Sequence, residues 1–339
     1  MVRARTAVRA VAWLGAFLPL VATTTEGQER GAGEPPVIDP MAELELLFDG
    51  ASETSETEGP SVAFDGTIFF VAFNRTDLDA GGTIWRFDPE DGKASIFRSL
   101  WGLAAGSVID SSGDLLIAEL AYGGGRRISR IALETGDTSV VADSYEGRPF
   151  NGTNDLVIDE KGRIYFTEYD IITPEEVLYH RGNGVYRVDP DGGVERVIED
   201  AGLPNGIAVS PDQRTLYVTT NQFDILGTNA LLSYDLSPEG EVRFRSVLAE
   251  YEAASGQMAD GMAIDVDGNL YVALFSMRGE TGIAVYDPSG ERLAFIPTPT
   301  PAKNVTFGRG SDALSLYITA GNGLYRFRVN RTGYHLPSR

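Results

Sequence analysis

Six times along the chain a short apolar strand is followed by a polar turn and a second apolar strand, and the unit returns every 43 to 55 residues. The first strands begin at Ser61, Ser107, Leu156, Ile207, Met262 and Val305. Their partners run from Ile68 to Phe73, Leu115 to Ala118, Ile164 to Phe166, Leu216 to Thr219, Leu270 to Leu274 and Leu316 to Thr319. Third strands begin at Ile84, Ile128, Val185, Leu231, Ile283 and Leu324, and a fourth closes most units, as in Val194 to Ile198 and Val242 to Leu248. The runs are β-branched and aromatic and are split by Gly-containing turns, which is the signature of hairpins. Four strands per unit at this period predict blades of a propeller. No segment carries sustained helical periodicity with caps. The expected fold is therefore all-β, a six-bladed β-propeller over residues 42–330. The last unit stops after its third strand, Leu324 to Val329. The apolar stretch Glu43 to Phe48 is expected to supply the fourth, because joining the two ends of the chain in one blade removes an open sheet edge.

Composition narrows what lies outside the blades and what the surface meets. Arg3, Arg5 and Arg9 precede an apolar run from Ala10 to Ala22, so residues 1–22 read as a secretory signal peptide. The expected setting is an exported bacterial protein, periplasmic or secreted, with no membrane insertion after processing. Residues 23–41 are rich in Thr, Glu, Gly and Pro and read as a flexible linker, and residues 331–339 read as a C-terminal tail. A net charge of −21 makes nucleic acid and anionic membrane poor partners. The chain has no cysteine, which excludes disulfides and thiolate metal sites. A monomer or weak homo-oligomer is expected.

Aligning the six units brings Glu58, Ala105, Asn154, Asn205, Asp260 and Lys303 to one position, just ahead of the first strand of each blade. In a propeller these strands line the axis, so their first residues ring one mouth of the channel. Four of the six carry side-chain oxygens, two carboxylates and two amides. That set suits Ca²⁺, a hard cation that takes oxygen ligands in a flexible shell. It does not suit zinc, which prefers His and Cys, and the two histidines, His180 and His335, lie outside the ring. Each Asn-Gly or Asp-Gly pair is by itself an ordinary turn, but Glu58 is not a favoured turn former. Asp155, beside Asn154, is a candidate general base or a carboxylate that orients its neighbour. Asp260 is the other candidate base. Lys303 either pairs with Asp155 or Asp260, polarises a substrate oxygen, or turns outward into water. The loops Glu119 to Arg126, Tyr169 to Asn183, Asn221 to Asn229 and Phe275 to Glu280 belong to the same mouth, which makes Lys303, Glu119, Tyr169 and Asn221 candidate substrate-pocket residues. No Ser-His-Asp arrangement is visible.

Specific phrases carry a resemblance. They are Glu58-Gly-Pro60, Tyr145-Glu-Gly-Arg-Pro-Phe-Asn-Gly-Thr-Asn-Asp-Leu156, Leu203-Pro-Asn-Gly-Ile207, Ala259-Asp-Gly-Met262, Asn304-Val-Thr-Phe-Gly308 and Leu316-Tyr-Ile-Thr-Ala-Gly-Asn-Gly-Leu-Tyr325. Over residues 42–329 the chain resembles the senescence marker protein/gluconolactonase/luciferin-regenerating-enzyme-like family of six-bladed propellers. The resemblance implies a divalent ion, usually Ca²⁺ with Zn²⁺, Mg²⁺ and Mn²⁺ as alternatives, held by Glu58, Asn154, Asn205 and Asp260. It implies hydrolysis of a small-molecule sugar lactone through a metal-polarised carbonyl and an activated water. The related diisopropyl fluorophosphatases have an Asn-Asp pair like Asn154-Asp155, so a phosphotriesterase-like hydrolase is the alternative, beside a non-catalytic binding platform. The chain departs from the family pattern at four places. Ala105 stands where many relatives have Asn, Lys303 where a small hydroxyl residue is common, Thr153 where Pro is frequent, and Gly152 where the senescence marker proteins have Arg.

Overall fold

The computed structural model describes residues 23–24 and 35–338, apart from short stretches at 51–55, 75–76, 78–80, 100–101, 122, 170–178, 181, 200, 223–226, 253–255 and 277–278. The expected signal peptide, residues 1–22, lies outside the described residues. So do the middle of the Tyr169–Asn183 loop and parts of the other three mouth loops.

Six antiparallel sheets of four main strands follow one another. The first blade, for example, consists of Glu56–Val62, Ile68–Phe73, Gly82–Asp88 and Lys93–Ser99. The innermost strands are Glu56–Val62, Ala104–Ile109, Thr153–Ile158, Leu203–Val209, Met258–Ile264 and Ala302–Phe307. Each touches the innermost strands of both neighbouring blades, and the last touches the first, so the ring closes. Among the described residues the sole helix is the single 3₁₀ turn Gly310–Asp312. No helix there is long and apolar enough to cross a membrane.

Position within the blade explains the hydrophobic pattern. Second strands are covered on both faces by adjacent blades, so Ile-Phe-Phe-Val-Ala-Phe at Ile68–Phe73 is buried throughout. Fourth strands face water and alternate polar with apolar, as in Lys93–Ser99. Between every two blades the facing side chains form an apolar cluster. Phe166 and Tyr186 of the third blade meet Leu116 and Ile128 of the second, and Val62 and Phe70 of the first meet Tyr317 and Leu324 of the sixth.

The chain ends meet in the sixth blade, as the missing strand required. Glu45–Asp49 pairs antiparallel with Gly323–Arg328. Thr57 of the first blade adds hydrogen bonds to the Gly321 and Gly323 carbonyls. Residues 35–41, part of the expected linker, differ from that expectation. Val37 and Ile38 are buried in the cluster between the fifth and sixth blades, and Ile38 bridges Val329. Two buried apolar side chains dock it, with Asn330 donating to the Val37 and Pro36 carbonyls. The C-terminal tail is docked too. Gly333 bridges Asp265, the Tyr334 amide donates to the Ile264 carbonyl, and the Tyr334 hydroxyl donates to Glu160 at 2.7 Å. The tail lies across the end of an axial cavity of about 140 Å³, which Tyr334, His335 and Leu336 line together with the six innermost strands.

Candidate metal centre

The ring residues sit inside the innermost strands, not ahead of them. In all six blades the ladder between first and second strands slips there, for instance between Glu58 and Ser61, Thr153 and Leu156, and Ala259 and Met262. The Asn-Gly and Asp-Gly pairs read as turns are thus β-bulges, devices that bend a strand and re-aim a side chain. The sequence pattern located the position but not the conformation, because a bulge and a turn use the same residues.

Hydroxyls on the second strands hold the bulges. Thr167 accepts from the Asp155 amide and donates to the Asn205 carbonyl of the next blade at 2.6 Å. Thr219 accepts from the Gly206 amide and donates to the Asp260 carbonyl at 2.8 Å. Each threonine therefore ties one blade's bulge to the ring residue of its neighbour. Sequence reasoning missed them, since Thr in a strand is unremarkable.

The residues after the ring form a floor beneath it. Four are glycines (Gly59, Gly106, Gly206 and Gly261), and the others are Asp155 and Asn304 on opposite blades. Asn304 donates from Nδ2 to Asp155 Oδ2 across the hub at 3.4 Å. The glycines make room. A Cβ on Gly106 would lie 2.3 Å from Asp155 Oδ1, and one on Gly261 would lie 2.1 Å from Asn304 Cγ. Asp155 Oδ1 also accepts from the Leu156 amide. Burial pushes the Asp155 carboxyl up to about 7.

Above the floor, Glu58, Asn205 and Asp260 are buried and Asn154 is half-buried. Burial, then repulsion from Asp260, drives the Glu58 carboxyl well above its ordinary range, and Lys303 offsets part of this. The two ring carboxylates, with only the sixth blade between theirs, thus repel one another. Among the described residues the side-chain amides of Asn154 and Asn205 have no hydrogen-bond partner. Two crowded carboxylates and two amide oxygens without protein donors are the donor set of a hard cation. No group of three or more His, Cys, Asp and Glu side chains among the described residues is placed to hold a metal. The ring differs in drawing half its donors from amides.

Lys303 turns inward. It is 7% exposed, with Nζ 3.8 Å from Asp260 Oδ2, 3.9 Å from Glu56 Oε1 and 4.7 Å from the centre of the Phe275 ring. Of the orientations the sequence allowed, outward into water is excluded, because the ammonium lies between buried Asp260 and half-buried Glu56. Glu56, two residues before Glu58, was not foreseen.

Glu119 has its carboxylate engaged within its own blade, accepting from the Gly125 amide, Arg127 Nε and Ser129 Oγ, and it lines a cavity with Gly102, Leu103 and Gly124. Asn221 is buried beside the ring and donates to the Ala259 carbonyl at 3.4 Å. Its Oδ1 has no partner among the described residues. Tyr169 is buried, and its amide donates to the Gly152 carbonyl. Another residue missed was Glu168, fully buried, which accepts from the Asn151 amide at 2.6 Å and from the Tyr186 hydroxyl at 3.2 Å.

Comparison with known proteins adds four likenesses. A sequence profile described as the SMP-30/Gluconolactonase/LRE-like region matches residues 57–322. A gluconolactonase of Zymomonas mobilis subsp. mobilis is 29% identical over 88% of this chain and 84% of its own length. The diisopropyl-fluorophosphatase of Loligo vulgaris is 25% identical over 88% of this chain and 96% of its own. The solved gluconolactonase XC5397 of Xanthomonas campestris superposes with a TM-score of 0.72 at 26% identity, over 92% of this chain and 94% of that one.

Proposed function

The chain belongs to the SMP-30/Gluconolactonase/LRE-like family, and on that premise we propose that it is a divalent-metal-dependent hydrolase that opens a sugar lactone. One observation carries the proposal. Oxygen-bearing side chains occupy the same bulge in four separate blades, and the two amides among them lack protein partners. Glu58, Asn154, Asn205 and Asp260 would hold the ion, and an all-oxygen set favours Ca²⁺ over Zn²⁺, Mg²⁺ or Mn²⁺. When bound, such an ion supplies Lewis-acid stabilisation of charge on a carbonyl oxygen.

The chain's own groups do the rest. Asp155 lies one residue from Asn154, fixed by the Leu156 amide and Asn304, so one carboxylate is aimed at the mouth floor in a single orientation. It accepts the proton of the attacking water, a role that Asp260 shares as the other candidate. The bulge threonines keep the Asn205 and Asp260 backbone from relaxing, which preorganises the ring before substrate arrives. Lys303, Tyr169 and Asn221 border the substrate. The basic and then apolar N-terminus favours an exported setting.

The likeness to the squid fluorophosphatase, with its own phosphorus substrate, favours organophosphate hydrolysis as the second reading. A pH-stat assay on a panel of sugar lactones and organophosphates, with and without chelator, tests both. Lactone turnover is expected to vanish with chelator and return with Ca²⁺, and Asp260→Ala should lower kcat/KM by at least about 10³. Turnover that survives exhaustive chelation sinks the metal-dependent mechanism. A Ca²⁺-binding protein that opens no lactone and no organophosphate is a binding platform instead.

A further inference from the structure

Five ring positions carry neutral or acidic side chains, and the sixth carries Lys303. Its ammonium lies between two acids. It stands 3.8 Å from Asp260 Oδ2 and 3.9 Å from Glu56 Oε1, beyond hydrogen-bond length, and rests on the Phe275 ring face at 4.7 Å. It is nevertheless buried, with side-chain exposure of 9% against 8% for Asp260 and 14% for Glu56. A buried charge persists only where opposite charge compensates it. Here the compensation is mutual, since Asp260 repels Glu58, Lys303 offsets that repulsion, and its ammonium stands 3.8 Å from Asp260.

We infer that Lys303 is a tethered counter-ion of the ring, which competes with the divalent cation for Asp260 and so sets its affinity. The inference rests on the metal reading above. The chemistry follows from charge alone. An ammonium near a ligand carboxylate repels an arriving dication and weakens the carboxylate's pull on it. Glu56 is the other half of the device. It lies outside the ring set, yet its carboxylate is as near the ammonium as that of Asp260, so it receives the ammonium when Asp260 turns to the ion. The long flexible lysine stem and the aromatic face allow that shift without exposing the charge. The ring is thereby compensated in both states, by a lysine when empty and by a dication when filled.

Calorimetric titration of Ca²⁺ into chelator-stripped protein tests this, with thermal melts in chelator and in saturating Ca²⁺. Wild type should bind one ion. Lys303→Met should bind at least tenfold tighter, and Lys303→Arg, which keeps the charge, should stay within about threefold of wild type. The melting-temperature gap between the Ca²⁺ and chelator conditions should widen in Lys303→Met, whereas a purely packing role would shift both melts together. Glu56→Gln should bind several-fold more weakly, because the ammonium then loses one of its two neighbouring carboxylates. Unchanged or weaker affinity in Lys303→Met overturns the inference while leaving the metal site standing. If that variant does not fold, Glu56→Gln decides, and unchanged affinity overturns it. A wild type that binds none of Ca²⁺, Mg²⁺, Mn²⁺ or Zn²⁺ overturns the metal reading itself.

Discussion

At the far end of the axial channel Asp110, Asp159 and Asp265 each accept two backbone amides of their own hairpin turns, and the C-terminal tail is bonded across them. At the mouth the same strands begin with bulges, crowded carboxylates and amides without partners. One end spends its polar groups on the fold, while the other withholds them. The contrast marks where side chains are placed for something other than holding the fold.

Asp265 offers the largest expected effect. Its carboxylate accepts from the Asp267 and Asn269 amides, from Asn269 Nδ2 and from the Tyr271 hydroxyl. Asp265→Ala strands these buried donors and should cost about 4 kcal/mol, seen as a fall in melting temperature on the order of 10 °C. Calcium affinity of the folded fraction should not change. A loss of ion binding there would erase the division between the two ends.

Glu168 sharpens the comparison from the mouth side. It is a carboxylate near the mouth that behaves like those of the far end, since Asn151 and Tyr186 saturate it. Burial nonetheless raises it from 4.5 to about 7. A carboxyl raised in the folded state binds its proton more tightly there than when unfolded. Its contribution is therefore fully present below about pH 4.5 and is lost as pH rises through about 7, by at most about 3 kcal/mol. Denaturant unfolding between pH 4.5 and 8 should show this slope added to those of Asp155 and Glu58, and Glu168→Gln should make the total shallower. A slope as steep in the variant as in wild type assigns the effect elsewhere.

Tyr334 gives the smallest effect. Its hydroxyl donates to Glu160 and accepts from Gln213 at 3.0 Å, so Tyr334→Phe should cost about 1 kcal/mol in chemical denaturation and leave ion affinity untouched. A cost near zero would mean the tail rests on the channel without strapping it.

Much of the centre was legible because repetition supplies an internal alignment. Glu58 stood out among its five counterparts without any second sequence. The bonds of Glu119 were invisible, since its place at the end of a second strand says nothing of Arg127 and Ser129, which take its oxygens. Lys303 could not be oriented, because the acid that turns it inward, Glu56, belongs to a blade about 250 residues away in the chain. Asn304 was visible only as part of a phrase, and its reach to Asp155 crosses the whole hub.

By itself the sequence determined the period, the blade number, the strand that closes the ring and the chemical types at the hub. These follow from local alternation and turn residues, which each short segment carries regardless of its neighbours. Only the tertiary structure decided that the hub residues sit in bulges, that Lys303 faces inward, and that the tail closes the far end. Those depend on contacts between blades, where side chains distant in sequence compete for the same small space, and no local pattern records who wins.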